Sequence, residues 1–93
     1  MIANFQIIEK ENIYALKFPS EEVLEDTDAI IQRRVDLNRA QTLGNIEHMK
    51  IKIYFEDDES KKVVETTVWA VTDNSVVLKK GVGIPINRII KLI

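Results

Sequence analysis

A chain of 93 residues has room for one small domain, and 45% hydrophobic content supplies a core without disulfides or metals. The absence of cysteine excludes disulfide scaffolds, zinc ribbons and thiol catalysis, and it fits a reducing compartment. A formal net charge of −2 weighs against a dedicated nucleic-acid binder, and no apolar run approaches the ~20 residues that cross a bilayer.

The opening stretch MIANFQIIEKENIYAL carries acids where a signal peptide carries bases, so an unexported, cytoplasmic protein with no membrane partner is expected. FQIIEKENIYALKF reads as a β-hairpin, assigned to residues 1–19. Phe5 and Ile7 alternate on one strand, Tyr14, Leu16 and Phe18 on the other, and Glu9 to Asn12 supply the turn. Pro19 ends the pairing, because proline has no N–H to give a ladder.

Residues 20–45 read as the helical region, with the main helix at about 27–43. Ser20 followed by two glutamates, or Thr27 with Asp28, offers an N-cap, and Gly44-Asn45 offers a stop. At 100° per residue the apolar positions form two stripes, Ile30, Leu37 and Ala40 on one side and Ile31 and Val35 nearly opposite. Two stripes call for two neighbours. One is the sheet that follows, and the other is the hairpin or a second copy of the chain, which makes a homodimer an expected partner.

From residue 46 onward the period falls to two. Ile51, Ile53 and Phe55 form one strand face, and Val64, Thr66, Val68 and Ala70 a second. Val76 and Leu78 follow Asp73-Asn74, and Ile84 and Ile86 follow Gly81-Val82-Gly83. A 3₁₀ turn at 87–89 leads into a last strand. Short strands with tight connections protect their edges by curling, so residues 46–93 are expected to form a five-stranded antiparallel SH3/Sm-like small barrel. The fold class is α+β, one domain over residues 1–93.

The tract TTVWAVTDNSVVLKK followed by IPINRIIKLI resembles the closing strands of Sm-like proteins and of the Rho-binding antiterminators. RAQTLGNIEHMKIKIYFEDD with the same later strands is similar to a family of small conserved bacterial proteins to which no activity is attached. The antiterminator resemblance implies a regulatory, protein-binding role on the transcription machinery. The Sm resemblance implies RNA binding through loop positions, and here Lys79-Lys80-Gly81 is the basic loop.

No arrangement of residues points to catalysis. His48 is the one histidine, with no ligand spacing around it, and Ser20, Ser60 and Ser75 lack a nucleophile-elbow context. No catalytic residue, metal or cofactor is assigned. Gly81-Val82-Gly83 lacks the third glycine and helix of a phosphate loop, and Glu56 to Glu59 lack Ca²⁺-loop spacing and read as a solvated hairpin tip. Trp69 lies between valines and is expected to pack against the helix, with base stacking as the other use of such a ring.

Residues 1–30 carry seven acids against Lys10 and Lys17, and residues 61–93 carry six bases against Glu65 and Asp73. If Arg33, Arg34, Arg39, Lys79, Lys80 and Arg88 share a side, they form a nucleic-acid-binding face. The favoured reading pairs these bases with the acidic front half. The chain is thus read as a non-catalytic, protein-interacting or regulatory module, with an RNA- or single-strand-binding barrel as the alternative.

Overall fold

The computed structural model describes residues 4–93. One helix, α1 (Thr27–Glu47), precedes strands β2 (Ile51–Glu56), β3 (Lys61–Thr66), β4 (Val68–Val71), β5 (Ser75–Leu78), β6 (Gly83–Pro85) and β7 (Ile89–Leu92). A two-residue strand, β1 (Gln6–Ile7), lies ahead of the helix. The α+β class and the change of period after the helix are as the sequence predicts.

The helix begins at Thr27, where the sequence places it, but its cap is neither Ser20 nor Thr27. Asp26 takes the position, its Oδ1 accepting the Asp28 N–H at 3.1 Å. Nor does the helix stop at Gly44. It runs on to Glu47 and closes on His48, whose left-handed backbone (φ 54°, ψ 32°) lets its N–H reach the Gly44 carbonyl at 3.2 Å. Gly44 is inside the helix because of what lies beneath it. A Cβ there would collide with the backbone carbonyl oxygen of Val68 and crowd Thr67. Glycine serves this helix as a contact point, not as a stop.

The predicted N-terminal hairpin is corrected; residues 1–3 of its range lie outside the described residues. β1 joins β3 in parallel, Gln6 opposite Lys62 and Ile7 opposite Val63. The chain then enters a 3₁₀ turn at Lys10–Ala15 in place of a returning strand. That turn buries Ile13 and leaves Tyr14 81% exposed, so Tyr14, Leu16 and Phe18 share no strand face. One lone isoleucine among Glu, Lys and Asn is satisfied by a single turn that points it inward, and no second strand is needed. Phe5 and Phe18 still serve the core, the first edge-on to Tyr54 at 4.9 Å and the second tilted against Phe55 at 6.0 Å.

The strands form two sheets, ordered β1-β3-β2-β7 and β4-β5-β6. Predicted as one strand, residues 63–71 break at Thr67 into β3 and β4, which lie in different sheets. Among the described residues no ladder joins the two sheets into a closed cylinder; the strands expected to form a barrel lie as two sheets facing a shared core. Ile53, Phe55, Val68, Val76, Leu78, Ile84, Ile86 and Ile89 are all buried there, with Val64, Ile13, Leu37 and Ala40. The period-two reading of the inward positions therefore holds although closure does not.

β4 is an edge strand, and α1 covers it. The Thr67 carbonyl turns inward to accept the Lys79 N–H, the Val68 carbonyl meets Gly44, and Gln41 Oε1 accepts the Val71 N–H at 3.0 Å. The helix thereby satisfies the Val71 N–H through Gln41 and covers the rest of an edge that would otherwise face water or another strand.

Two substitutions test this packing. Leu78→Ala should cost about 2–5 kcal/mol in urea unfolding; an unchanged midpoint would place Leu78 outside the core. Gly44→Ala should lower the melting temperature, although alanine raises intrinsic helix stability by about 1 kcal/mol. A higher melting temperature would mean that the helix does not approach Val68 this closely.

Candidate binding surfaces

The six predicted basic residues fall into different environments. Arg33 is buried and grips Glu22 with both terminal nitrogens, at 2.7 and 2.6 Å, while Nη1 also donates to the Ile89 carbonyl at 2.9 Å. Arg88 is buried too, donating to the carbonyls of Glu56 (3.0 Å), Glu21 (2.8 Å) and Asp57 (3.2 Å). Both therefore work inside the fold, tying the irregular segment before α1 to the strands. Arg34 donates to the carbonyls of Thr72 and Asp73, each at 3.2 Å, and so clamps the β4–β5 turn to the helix. Arg39 is exposed on α1, and Lys79 and Lys80 are exposed on the turn after β5. A single face built from all six is not formed, because burial removes Arg33 and Arg88 from any phosphate.

The acidic hairpin tip also differs from expectation. Asp57 is buried, and its Oδ2 accepts from the equally buried Lys62 ammonium at 2.7 Å. Its Oδ1 accepts the N–H groups of Glu59 (3.0 Å) and Ser60 (2.8 Å), and Ser60 Oγ accepts a further bond from Lys62 at 2.8 Å. Asp57, Asp58 and Glu59 hold carboxylate oxygens within 4.8 Å of one another, yet the cation beside Asp57 is a lysine. Burial pushes the Asp57 carboxyl up, but Lys62 and the two backbone N–H groups outweigh it and hold the carboxyl below its ordinary value. The Arg33 fork likewise holds Glu22 low.

Two surfaces remain open. The first is the outer face of α1. Ile31, Val35 and Ile46 are 58%, 45% and 73% exposed, and Asn38 and Thr42 lie in line with them. These five positions fall within an arc of about 80°, nearly opposite the buried Leu37, Ala40 and Gly44. The second is a groove of about 560 Å³ between the end of α1 and β4. Gly44, Asn45, His48, Lys50, Thr67, Trp69 and Lys79 line it.

Trp69 is not under the helix as predicted but 51% exposed. The β4–β5 register slips between Val68 and Ala70, so Val68 and Ala70 keep ladder partners while Trp69 has none and its ring faces the groove. His48 is exposed and serves α1 through its backbone. Sequence reasoning missed Lys50 and Asn45 as groove residues, and no local pattern marks them. They meet Trp69 only because the helix continues past Gly44.

No family model, curated protein or solved structure matches the chain.

The depressed carboxyls set the acid response. A group whose folded pKa lies below its unfolded value stabilises fully above the unfolded value, here 4.5 for Glu22 and 3.8 for Asp57. That stabilisation is lost as pH falls through the lower folded value. Asp57→Asn leaves the Lys62 ammonium buried without its counter-ion, and should cost about 3–5 kcal/mol at neutral pH. The gap from wild type should narrow in urea titrations below about pH 4, where wild type loses the same charge. A gap independent of pH would show that the Asp57 charge contributes nothing.

Proposed function

We propose that the protein is a non-catalytic interaction module that pairs with a second copy of itself through the outer face of α1. One observation carries this reading: Ile31, Val35 and Ile46 lie exposed in one row opposite the buried face of the same helix. The steps from 31 to 35, 38 and 42 follow the four-three-four seam spacing of paired helices, and Ile46 extends the row by a further turn. The row also suits a two-fold contact. Laid antiparallel on its mate, it brings Ile31 to the partner's Ile46 and Val35 to the partner's Thr42, with Asn38 meeting its counterpart near the axis.

The SH3/Sm-like reading of the strands belongs to this proposal. β3 and β4 act as the two halves of one bent strand, and the 3₁₀ turn at Ile86–Arg88 precedes the last strand, in the order expected of such small barrels. The antiterminator resemblance agrees with a regulatory, protein-binding role. The chain would work in the cytoplasm, and no helix among the described residues is long and apolar enough to cross a membrane.

Light scattering over a concentration series tests the pairing. Wild type should approach twice the 10.7 kDa chain mass, and Ile31→Glu with Val35→Glu should hold it at the monomer mass with the fold intact by circular dichroism. A wild-type mass that stays monomeric at high concentration overturns the proposal.

A further inference from the structure

We infer that the groove beside Trp69 binds single-stranded nucleic acid, with a base stacked on the indole and phosphates held by Lys50 and Lys79. This goes beyond the self-pairing module and uses none of its residues. The exposure of Trp69 is the first ground. A half-exposed tryptophan in a strand otherwise pointed at the core presents a flat, rigid apolar plate, which nucleobases of any kind can cover. Alternation from the buried Val68 turns that ring outward, and the register slip at this point leaves Trp69 without a ladder partner.

Charge is the second ground. Lys50 and Lys79 reach the groove from two separate segments, and neither forms an ion pair among the described residues. Asp57 and Glu22, by contrast, already have Lys62 and Arg33. The two lysines thus keep their charge available in the groove that the ring lines, the combination that suits backbone phosphates flanking a stacked base. The third ground is polarity. Asn45 and Thr67 offer both donors and acceptors at the groove wall, and His48 adds a further ring. Asn45 and Thr67 suit base edges, which carry both kinds of group, whereas an acidic peptide would use only the donors. The overall charge of −2 confines any such site to a local basic patch, which predicts weak binding that salt abolishes.

Trp69 is the sole tryptophan, so intrinsic fluorescence reads the groove directly. Wild-type protein is titrated with a 12-mer of deoxythymidine, a 12-mer of uridine, a 12-mer of glutamate and inorganic phosphate, at low and at physiological salt. The two oligonucleotides should quench Trp69, more weakly as salt rises, and phosphate should not. Anisotropy of a labelled oligonucleotide should show Trp69→Ala, and separately Lys50→Glu with Lys79→Glu, weakening binding roughly tenfold or more. Ile31→Glu with Val35→Glu should leave it within twofold per chain. Circular dichroism confirms that each variant is folded, and Trp69→Phe, which keeps a stacking ring, should retain most of the affinity. Absence of quenching and of anisotropy change at low salt overturns the inference. So does binding indifferent to Trp69→Ala, or quenching by the glutamate peptide equal to that by the oligonucleotides.

Discussion

The open edge of β4 is the constraint on which the rest of the molecule depends. A four-residue strand at the margin of a three-stranded sheet leaves backbone groups that must be satisfied. The helix answers by lying directly on that edge, Gly44 against the Val68 carbonyl and Gln41 on the Val71 N–H. Only a residue without a side chain permits the approach. Its cost in helix propensity is about 1 kcal/mol, offset where the close approach lets Gln41 satisfy the Val71 N–H and lets the helix cover the edge. Arg34, about two turns before Gln41, fastens the β4–β5 turn to the same helix.

Burial of three cations follows from the irregular backbone around that frame. The segment between the 3₁₀ turn at 10–15 and the helix has no ladder of its own, so its carbonyls need donors from elsewhere. Arg88 supplies three N–H groups to carbonyls from two stretches of chain, and Arg33 fastens Glu22 while satisfying Ile89. A guanidinium fits this work because its donors are fixed in one plane and it keeps its charge at any ordinary pH. Lys62 is held differently, by a carboxylate and a hydroxyl in its own hairpin. Charge that reads in sequence as a solvated surface is here part of the interior.

The legible parts of the fold were those set by local periodicity. Ile53, Phe55, Val76, Leu78, Ile84 and Ile89 show their inward direction through alternation alone, and the structure buries each one. The long helix was legible for the same reason. Its end was not, since a glycine that stops a helix and a glycine that admits a neighbouring strand look alike in sequence. The hairpin failed because Phe5, Ile7, Tyr14 and Leu16 mimic alternation, while the parallel partner of β1 lies more than fifty residues away, at Lys62 and Val63. The basic face failed similarly. Nothing local distinguishes Arg33, committed to Glu22, from Arg39, exposed one and a half turns later. Trp69 was legible as a special residue on the side opposite Val68, but not as an uncovered one, because where the helix leaves β4 open is set by its seating at Gly44 and not by local pattern.

The helix divides the two open surfaces, and its geometry explains why neither excludes the other. Seating Gly44 on β4 commits the arc of Leu37, Ala40 and Gly44 to the sheet, which by the helical repeat turns Ile31, Val35 and Ile46 to solvent. The same seating carries the last turn of the helix past the strand end, where His48 closes it and the chain reverses through Lys50 into β2. That reversal brings Lys50 into the same groove as Trp69 and Lys79. Moving the helix outward by the thickness of one methyl group would therefore alter the groove first, since Gly44 and Asn45 of the helix line it together with Thr67 and Trp69. The outer row would keep its spacing, because that spacing is internal to the helix. The two surfaces share one cause but respond differently to it: the groove depends on how the helix meets β4, and the row only on the helix remaining one.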